Sequence, residues 1–234
     1  KDLAGVAREF EVILLSDEIY GQLHHEGAHV SVARYYPEGT IISSGLSKWC
    51  GAGGWRLGTF AFPAELDWLL ETMASVASET YTSVSTPIQY AAVRAFSGGV
   101  TIERYLWHAR RILAALGNQI CGRLVEAGAR IHAPEGAFYL FLDLGALKDK
   151  FASRGIYNGV QMCERLLSDT GVAILPGSAF ERPVEEFTAR LAYVDFDGAR
   201  ALAASETLPL DRPLPQDFTK KWCHKMLEAT DILV

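Results

Sequence analysis

Apolar and polar residues follow one another in a pattern that predicts short strands separated by amphipathic helices. An apolar run that begins at Val12 ends in Ser16 and Asp17, which is typical of a buried parallel strand whose end carries a carboxylate. Two more strands are predicted over residues 39–44 and 57–62, and helices over residues 1–10, 64–76 and 90–96. This alternation favours an α/β fold.

The pattern changes after a glycine break at Ser97-Gly-Gly-Val100, which marks a domain boundary. One long amphipathic helix is predicted next, over residues 102–127, and Gly128 stands where a helix-ending glycine is expected. Further strands are predicted over residues 129–132, 137–143, 172–175 and 189–194, and further helices over residues 159–168 and 216–233. We therefore predict two domains, residues 1–98 and residues 99–234, of which the second begins with the bridging helix.

The candidate chemistry is concentrated between residues 44 and 58. Lys48 stands among small residues, and Arg56 follows eight positions later, after a run of glycines. A lysine in a crowded, partly dry niche can lose its proton and form a Schiff base with a carbonyl, and an arginine suits a phosphate. The pair suggests pyridoxal phosphate, although glycine-rich runs are also common in surface loops. A Walker A loop is excluded because the lysine precedes the glycines.

The predicted strand end upstream offers the other groups that a pyridoxal ring needs. The carboxylate of Asp17 would keep the ring nitrogen protonated, and Tyr20, three residues later, would donate to the ring oxygen. A strand, a turn and a lysine loop in this order therefore strengthen the interpretation as a cofactor site.

These segments resemble the fold-type I pyridoxal-phosphate aminotransferases of class I/II. Gly45-Leu-Ser-Lys48 fits the lysine signature of that family, Gly54-Trp-Arg56-Leu-Gly58 fits its tail, and Asp17 to Tyr20 fits its upstream strand end. The resemblance implies a mainly parallel sheet flanked by helices, with a smaller C-terminal α+β domain. Members of that family also have an N-terminal portion with a glycine-rich phosphate loop, which has no counterpart in this sequence. The sequence is therefore expected to be the C-terminal part of a longer protein.

The resemblance also implies roles for individual residues. Lys48 would hold pyridoxal 5'-phosphate as a Schiff base and transfer the substrate's Cα proton, Asp17 and Tyr20 would bind the ring, and Arg56 would bind the phosphate. Arg190 would bind the substrate α-carboxylate. Arg190 lies in an apolar predicted strand, so an ion pair with Asp195 remains a purely structural alternative.

One position departs from the family pattern. Many members have a phosphate-binding serine three residues before the lysine, where this chain has Gly45. Ser44 or Ser47 is expected to take over that contact. Dicarboxylate-specific members also carry an arginine in the stretch that here reads Glu79-Thr-Tyr81, which argues against an aspartate-type substrate.

The function implied by the resemblance is transfer of an amino group from an L-amino acid to a 2-oxo acid by a homodimer. Two alternatives stay open: a pyridoxal-phosphate-dependent lyase that catalyses β-elimination on the same scaffold, and a non-catalytic sensing domain of a transcription regulator. A basic DNA-binding segment upstream would distinguish the second alternative.

Composition excludes several other classes. The net charge of −6 gives no basic footprint for nucleic acid, and no signal peptide or membrane-spanning apolar run is present in the sequence. The four cysteines are far apart, which favours a reduced, cytoplasmic setting. His24, His25 and His29 lack the spacing of metal ligands, so no metal is expected.

Overall fold

The computed structural model describes residues 1–233. Its chain divides into two compact units, Lys1–Leu106 and the part from Trp107 onward. The sequence-based boundary was placed slightly earlier, between residues 98 and 99. Within residues 1–233, no helix has both the length and the apolar character needed to cross a bilayer.

The first unit is built around a three-stranded sheet in the order β1-β2-β3. β1 and β2 are parallel, with Asp17 opposite Ser43, and β2 and β3 are antiparallel, with Gly45 opposite Gly58. The strands are β1 (Leu14–Asp17), β2 (Thr40–Gly45) and β3 (Gly58–Ala61), and the helices are α1 (Asp2–Glu9), α2 (Asp67–Thr80), α3 (Thr86–Phe96) and the start of α4 (Val100–Glu126).

The first strand is parallel, as predicted, but the prediction that it is buried was wrong. β1 lies at the edge of the sheet, and Leu15 is 63% exposed. The face that carries Leu14 packs against a small core formed by Ala4 and Ala7 of α1 with Tyr36. Only one face of the strand is therefore covered, since no described element lies over Leu15.

The second unit combines the rest of α4 with an antiparallel sheet in the order β4-β6-β5. One face of this sheet is buried, because Leu140, Leu142, Ala189 and Leu191 all point into the core. The strands are β4 (Tyr139–Asp143), β5 (Leu175–Pro176) and β6 (Thr188–Ala192), and the helices are α5 (Lys148–Ala152), α6 (Gly159–Thr170), α7 (Gly198–Glu206), α8 (Phe218–Trp222) and α9 (His224–Leu233).

Several predicted elements of the second unit differ in the structure. Residues 129–132 form only a single bridge, Arg130 to Asp143, and the strand predicted over 172–175 is reduced to Leu175–Pro176. The final predicted helix is two helices that meet at Cys223. The long helix was predicted within two residues of its observed start and one of its end, and Gly128 follows it at φ +101°.

Candidate active site

The sheet of the first unit brings the candidate residues to one edge. Asp17 is the last residue of β1, and Lys48 follows the end of the parallel strand β2 by three residues. Arg56 precedes β3 by two residues, and β3 runs antiparallel to β2, so its beginning lies at the same edge. Ligands of open α/β sheets bind at this carboxyl edge of the parallel strands.

Backbone hydrogen bonds close the loop that carries Lys48. The Leu46 amide donates to the Leu57 carbonyl over 3.2 Å, and both side chains are buried. Within the loop, the Ala52 amide donates to the Leu46 carbonyl over 3.1 Å. Lys48 is thus presented, half-buried, on a loop with a fixed base.

The same close approach explains the glycine that departs from the family pattern. A Cβ at Gly45 would lie 2.6 Å from the Leu57 carbonyl oxygen, closer than real Cβ atoms come to backbone. A serine cannot occupy this position unless the strand and the loop separate.

The Lys48 ammonium group lies near the Tyr20 ring. Nζ is 5.8 Å from the ring centroid, within the range of a cation–π contact. Among residues 1–233, no carboxylate lies within ion-pairing distance of Lys48. The amine is therefore not committed to a structural salt bridge and can serve as a nucleophile.

Asp17 is exposed, and its Oδ1 accepts a long 3.4 Å hydrogen bond from the Ile19 amide. Its carboxylate therefore retains most of its acceptor capacity for a ligand.

Arg56 is also exposed and has left-handed backbone angles, φ 55° and ψ 46°. Its Nη1 donates to the Gly53 carbonyl over 2.8 Å, which leaves the other donors of the guanidinium for an anion.

The two candidate serines have different surroundings. Ser44 is half-buried on β2 and lines a cavity of about 300 Å³ together with Glu18, His29 and Trp49. Ser47 is half-buried in the lysine loop. Among residues 1–233, the Ser44 hydroxyl forms no hydrogen bond with Lys48 or Arg56.

Arg190 lies in the second unit, on β6. Its guanidinium is between two aromatic rings, 4.4 Å from the Tyr139 centroid and 4.5 Å from the Phe180 centroid. The alternative of an ion pair with Asp195 was wrong, because Asp195 lies instead 4.0 Å from Lys225. Within residues 1–233 no carboxylate neutralises Arg190, so it can bind one from a ligand.

Sequence reasoning did not assign a role to Tyr139, Phe180 or Glu18. Tyr139 lies in the strand predicted over residues 137–143, and Phe180 follows the strand predicted over residues 172–175, but neither pattern indicates a contact with Arg190. Glu18 stands directly between Asp17 and Ile19, and only the fold shows that its side chain is largely buried and bonded to residues far along the chain.

The histidines have structural partners. His29 bonds to Glu18, and Nδ1 of His24 accepts hydrogen bonds from the amides of Glu26 and Ala28. In the described part of the chain, no group of three potential ligands could hold a metal ion.

Comparison with known proteins places this arrangement in a family. The sequence profile of aminotransferase class I and II matches residues 1–195. The chain belongs to the class I and II aminotransferase family. The resemblance inferred from the two motifs is therefore confirmed.

Individual relatives agree. The aspartate/prephenate aminotransferase of Thermus thermophilus is 33% identical over 178 residues, which are 76% of this chain and 43% of that protein. The aspartate aminotransferase of Geobacillus stearothermophilus is 34% identical over 212 residues, 88% of this chain and 50% of that protein.

Solved structures show the same fold. The aromatic aminotransferase from Pyrococcus horikoshii has a TM-score of 0.73 at 26% identity, and the match covers 99% of this chain and 52% of that one. The predicted fold, that of the fold-type I aminotransferases, is confirmed. The chain spans about half the length of the relatives it matches.

Proposed function

We propose that this chain is the part of a pyridoxal-phosphate-dependent aminotransferase that carries the cofactor-binding lysine. The reaction would transfer an amino group from an L-amino acid to a 2-oxo acid. The observation that supports this most directly is the half-buried, unpaired Lys48, which shares one sheet edge with Asp17 and Arg56 and lies next to the Tyr20 ring.

The donor set fits pyridoxal 5'-phosphate. Lys48 offers an amine for the aldehyde, Asp17 a carboxylate for the ring nitrogen, Tyr20 a phenol for the ring oxygen, and Arg56 a guanidinium for the phosphate. When bound, the cofactor supplies an electron sink that acidifies the Cα–H bond of an amino acid. We retain Ser44 and Ser47 as candidate phosphate contacts.

Side chains of this protein would carry out the proton transfer and hold the cofactor in place. The Lys48 amine would hold the cofactor aldehyde and, when free, would act as the base that removes the Cα proton of the substrate. Asp17 holds a proton on the ring nitrogen, and Arg56 fixes the phosphate end.

In the second unit, Arg190 would bind the substrate α-carboxylate through two parallel N–H···O hydrogen bonds. The rings of Tyr139 and Phe180 restrict the guanidinium to the plane between them, so less freedom is lost when the carboxylate binds.

The relatives are named for aspartate, prephenate and aromatic substrates. Residues Glu79, Thr80 and Tyr81 offer no cation for a second carboxylate. We propose a substrate with a single carboxylate.

We also propose a cytoplasmic homodimer, and the four free cysteines support the reduced setting.

The test is an absorbance titration of the full-length protein with pyridoxal phosphate, followed by addition of amino acids. We expect a visible band of the lysine-bound cofactor, which Lys48→Ala removes and the exposed control Lys220→Ala retains. Conversion to pyridoxamine phosphate with release of a 2-oxo acid supports transamination and identifies the donor.

Other outcomes contradict the proposal in distinct ways. Pyruvate and ammonia without pyridoxamine phosphate would indicate the lyase. A stable band without turnover would indicate a sensing domain. A band that survives in Lys48→Ala would remove Lys48 from its proposed role.

A further inference from the structure

Glu18 lies between the two candidate ring-binding residues and is held by side chains from another part of the chain. Its Oε1 accepts hydrogen bonds from the hydroxyls of Ser16, over 3.0 Å, and Ser31, over 2.6 Å. Its Oε2 lies 2.9 Å from Nε2 of His29. The Glu18 side chain is only 12% exposed. We call Glu18, His29 and Ser31 the Glu18 clamp.

His29 of the clamp also contacts the backbone of Gly21, the residue that follows Tyr20. A Cβ at Gly21 would lie 2.7 Å from Cδ2 of His29, so the imidazole rests directly against the Gly21 backbone. Only a glycine lets the ring come this close without displacement. His29 therefore touches the turn twice, at the Glu18 carboxylate and at Gly21.

Glu18 and Ser31 each form a further hydrogen bond with a backbone group. The Glu18 amide donates to the Ser43 carbonyl over 2.8 Å, which ties the turn to β2. The Ser31 hydroxyl accepts a 3.1 Å hydrogen bond from the Ala33 amide and so caps the short 3₁₀ turn Val32–Arg34. The hydrogen bonds thus link a strand end to a loop more than ten residues away.

The carboxylate of Glu18 is kept ionised in this position. Burial alone would raise the pKa of Glu18, but the hydrogen bonds from Ser31, His29 and Ser16 outweigh it and lower that pKa. Hydrogen bonds to an ionised glutamate carboxylate are stronger than hydrogen bonds to the neutral side-chain amide of a glutamine.

Asp17, in contrast, forms a single hydrogen bond among residues 1–233, the long one that it accepts from the Ile19 amide. The backbone of residues 16–21 carries both Asp17 and Tyr20, and the clamp is bonded to that backbone segment, so the clamp contributes to the position of both residues. We propose that Glu18, His29 and Ser31 are positioning residues that fix Asp17 and Tyr20 for the cofactor ring. This inference rests on the proposed function for the identity of the ligand.

The first test needs no cofactor. Hydrogen exchange of the full-length apoprotein is measured at the amides of Gly21 and Leu23, which donate to the carbonyls of Glu18 and Tyr20. Glu18→Gln and Ser31→Ala are each expected to speed exchange by about tenfold or more, since a charged hydrogen bond is lost or weakened. Ser31→Ala keeps the carboxylate and serves as a second variant should Glu18→Gln fail to fold.

The matched control is Glu38→Gln. It removes the carboxylate of a different side-chain pair in the same unit, Arg8 to Glu38 at 2.6 Å, which does not touch residues 16–21. Its exchange at Gly21 and Leu23 should equal that of the wild type.

The second test uses pyridoxal phosphate. Glu18→Gln is expected to weaken its binding by about tenfold and to move the pH midpoint of the lysine-bound band, whereas Glu38→Gln changes neither. Unchanged exchange, or faster exchange with unchanged affinity and midpoint, would overturn the proposal. If the wild type binds no pyridoxal phosphate, the proposed function fails instead, and the exchange result still shows whether the clamp holds the turn.

Discussion

At the scale of single residues, Arg56 combines an exposed charged side chain with a left-handed backbone. That conformation costs a residue with a Cβ about 1 kcal/mol, and glycine would adopt it freely. Four glycines stand within five residues of it, yet this position carries arginine. Strain of this kind is found at ligand sites, in agreement with the proposed phosphate contact.

Two substitutions of Arg56 distinguish the effect of its guanidinium charge from the effect of its strained backbone. Arg56→Gly and Arg56→Ala should both weaken pyridoxal phosphate binding, because both lose the guanidinium. Arg56→Gly should be more stable than Arg56→Ala by about 1 kcal/mol, because only glycine relieves the backbone. Denaturant unfolding and cofactor titration measure the two effects. Wild-type affinity in both variants would exclude Arg56 as the phosphate ligand.

At the scale of elements, the sequence predicted those whose apolar residues repeat over several turns or lead directly into a motif. α4 was located almost to its ends because its apolar stripe extends over most of its length. The elements that were predicted wrongly depend on contacts with residues far away in the sequence. Residues 129–132 make only one bridge to β4, and the apolar pattern of the last helix continues across Cys223, so it gives no sign of the break.

The candidate site shows the same division. The order of Asp17, Tyr20, Lys48 and Arg56 could be found from motifs, whereas the clamp and the aromatic neighbours of Arg190 could not. His29 and Ser31 reach Glu18 from eleven and thirteen residues away, and Tyr139 and Phe180 reach Arg190 from different segments. No local spacing encodes such contacts.

The contact between β2 and the lysine loop gives a prediction at this scale. Gly45→Ala places a methyl group 2.6 Å from the Leu57 carbonyl oxygen, so the strand end and the loop must separate. We expect a loss of about 1–3 kcal/mol in unfolding free energy and weaker pyridoxal phosphate binding. Gly54→Ala, in the same loop, is the control, because a Cβ there meets nothing within 4 Å. Equal stability of the two variants would contradict the close approach.

At the scale of the whole molecule, the candidate residues are distributed over both units. Asp17, Lys48 and Arg56 lie in the first unit, and Arg190 lies in the second. The second unit also contains the three buried cysteines, Cys121, Cys163 and Cys223, whereas Cys50 of the first unit is partly accessible. The ionisation of these three buried thiols at alkaline pH is therefore expected to destabilise the second unit.

Burial raises the pKa of Cys163 to about 11 and that of Cys223 to about 12, because a thiolate is poorly solvated there. Unfolded thiols lose their protons near pH 9, so the unfolded state binds fewer protons above that pH. Stability is therefore fully present below about pH 9 and falls as the pH rises toward the folded values. For Cys163 the loss reaches about 2 kcal/mol by pH 11.

Unfolding free energies measured between about pH 8 and pH 10.5 test this expectation. Wild type should lose stability more steeply than Cys163→Ala or Cys223→Ala, even though each variant starts lower because of the cavity it creates. Comparing slopes cancels the titration of tyrosines and lysines, which all three proteins share. Parallel curves would mean that the thiols ionise without unfolding, and that the interior of the second unit admits water around them.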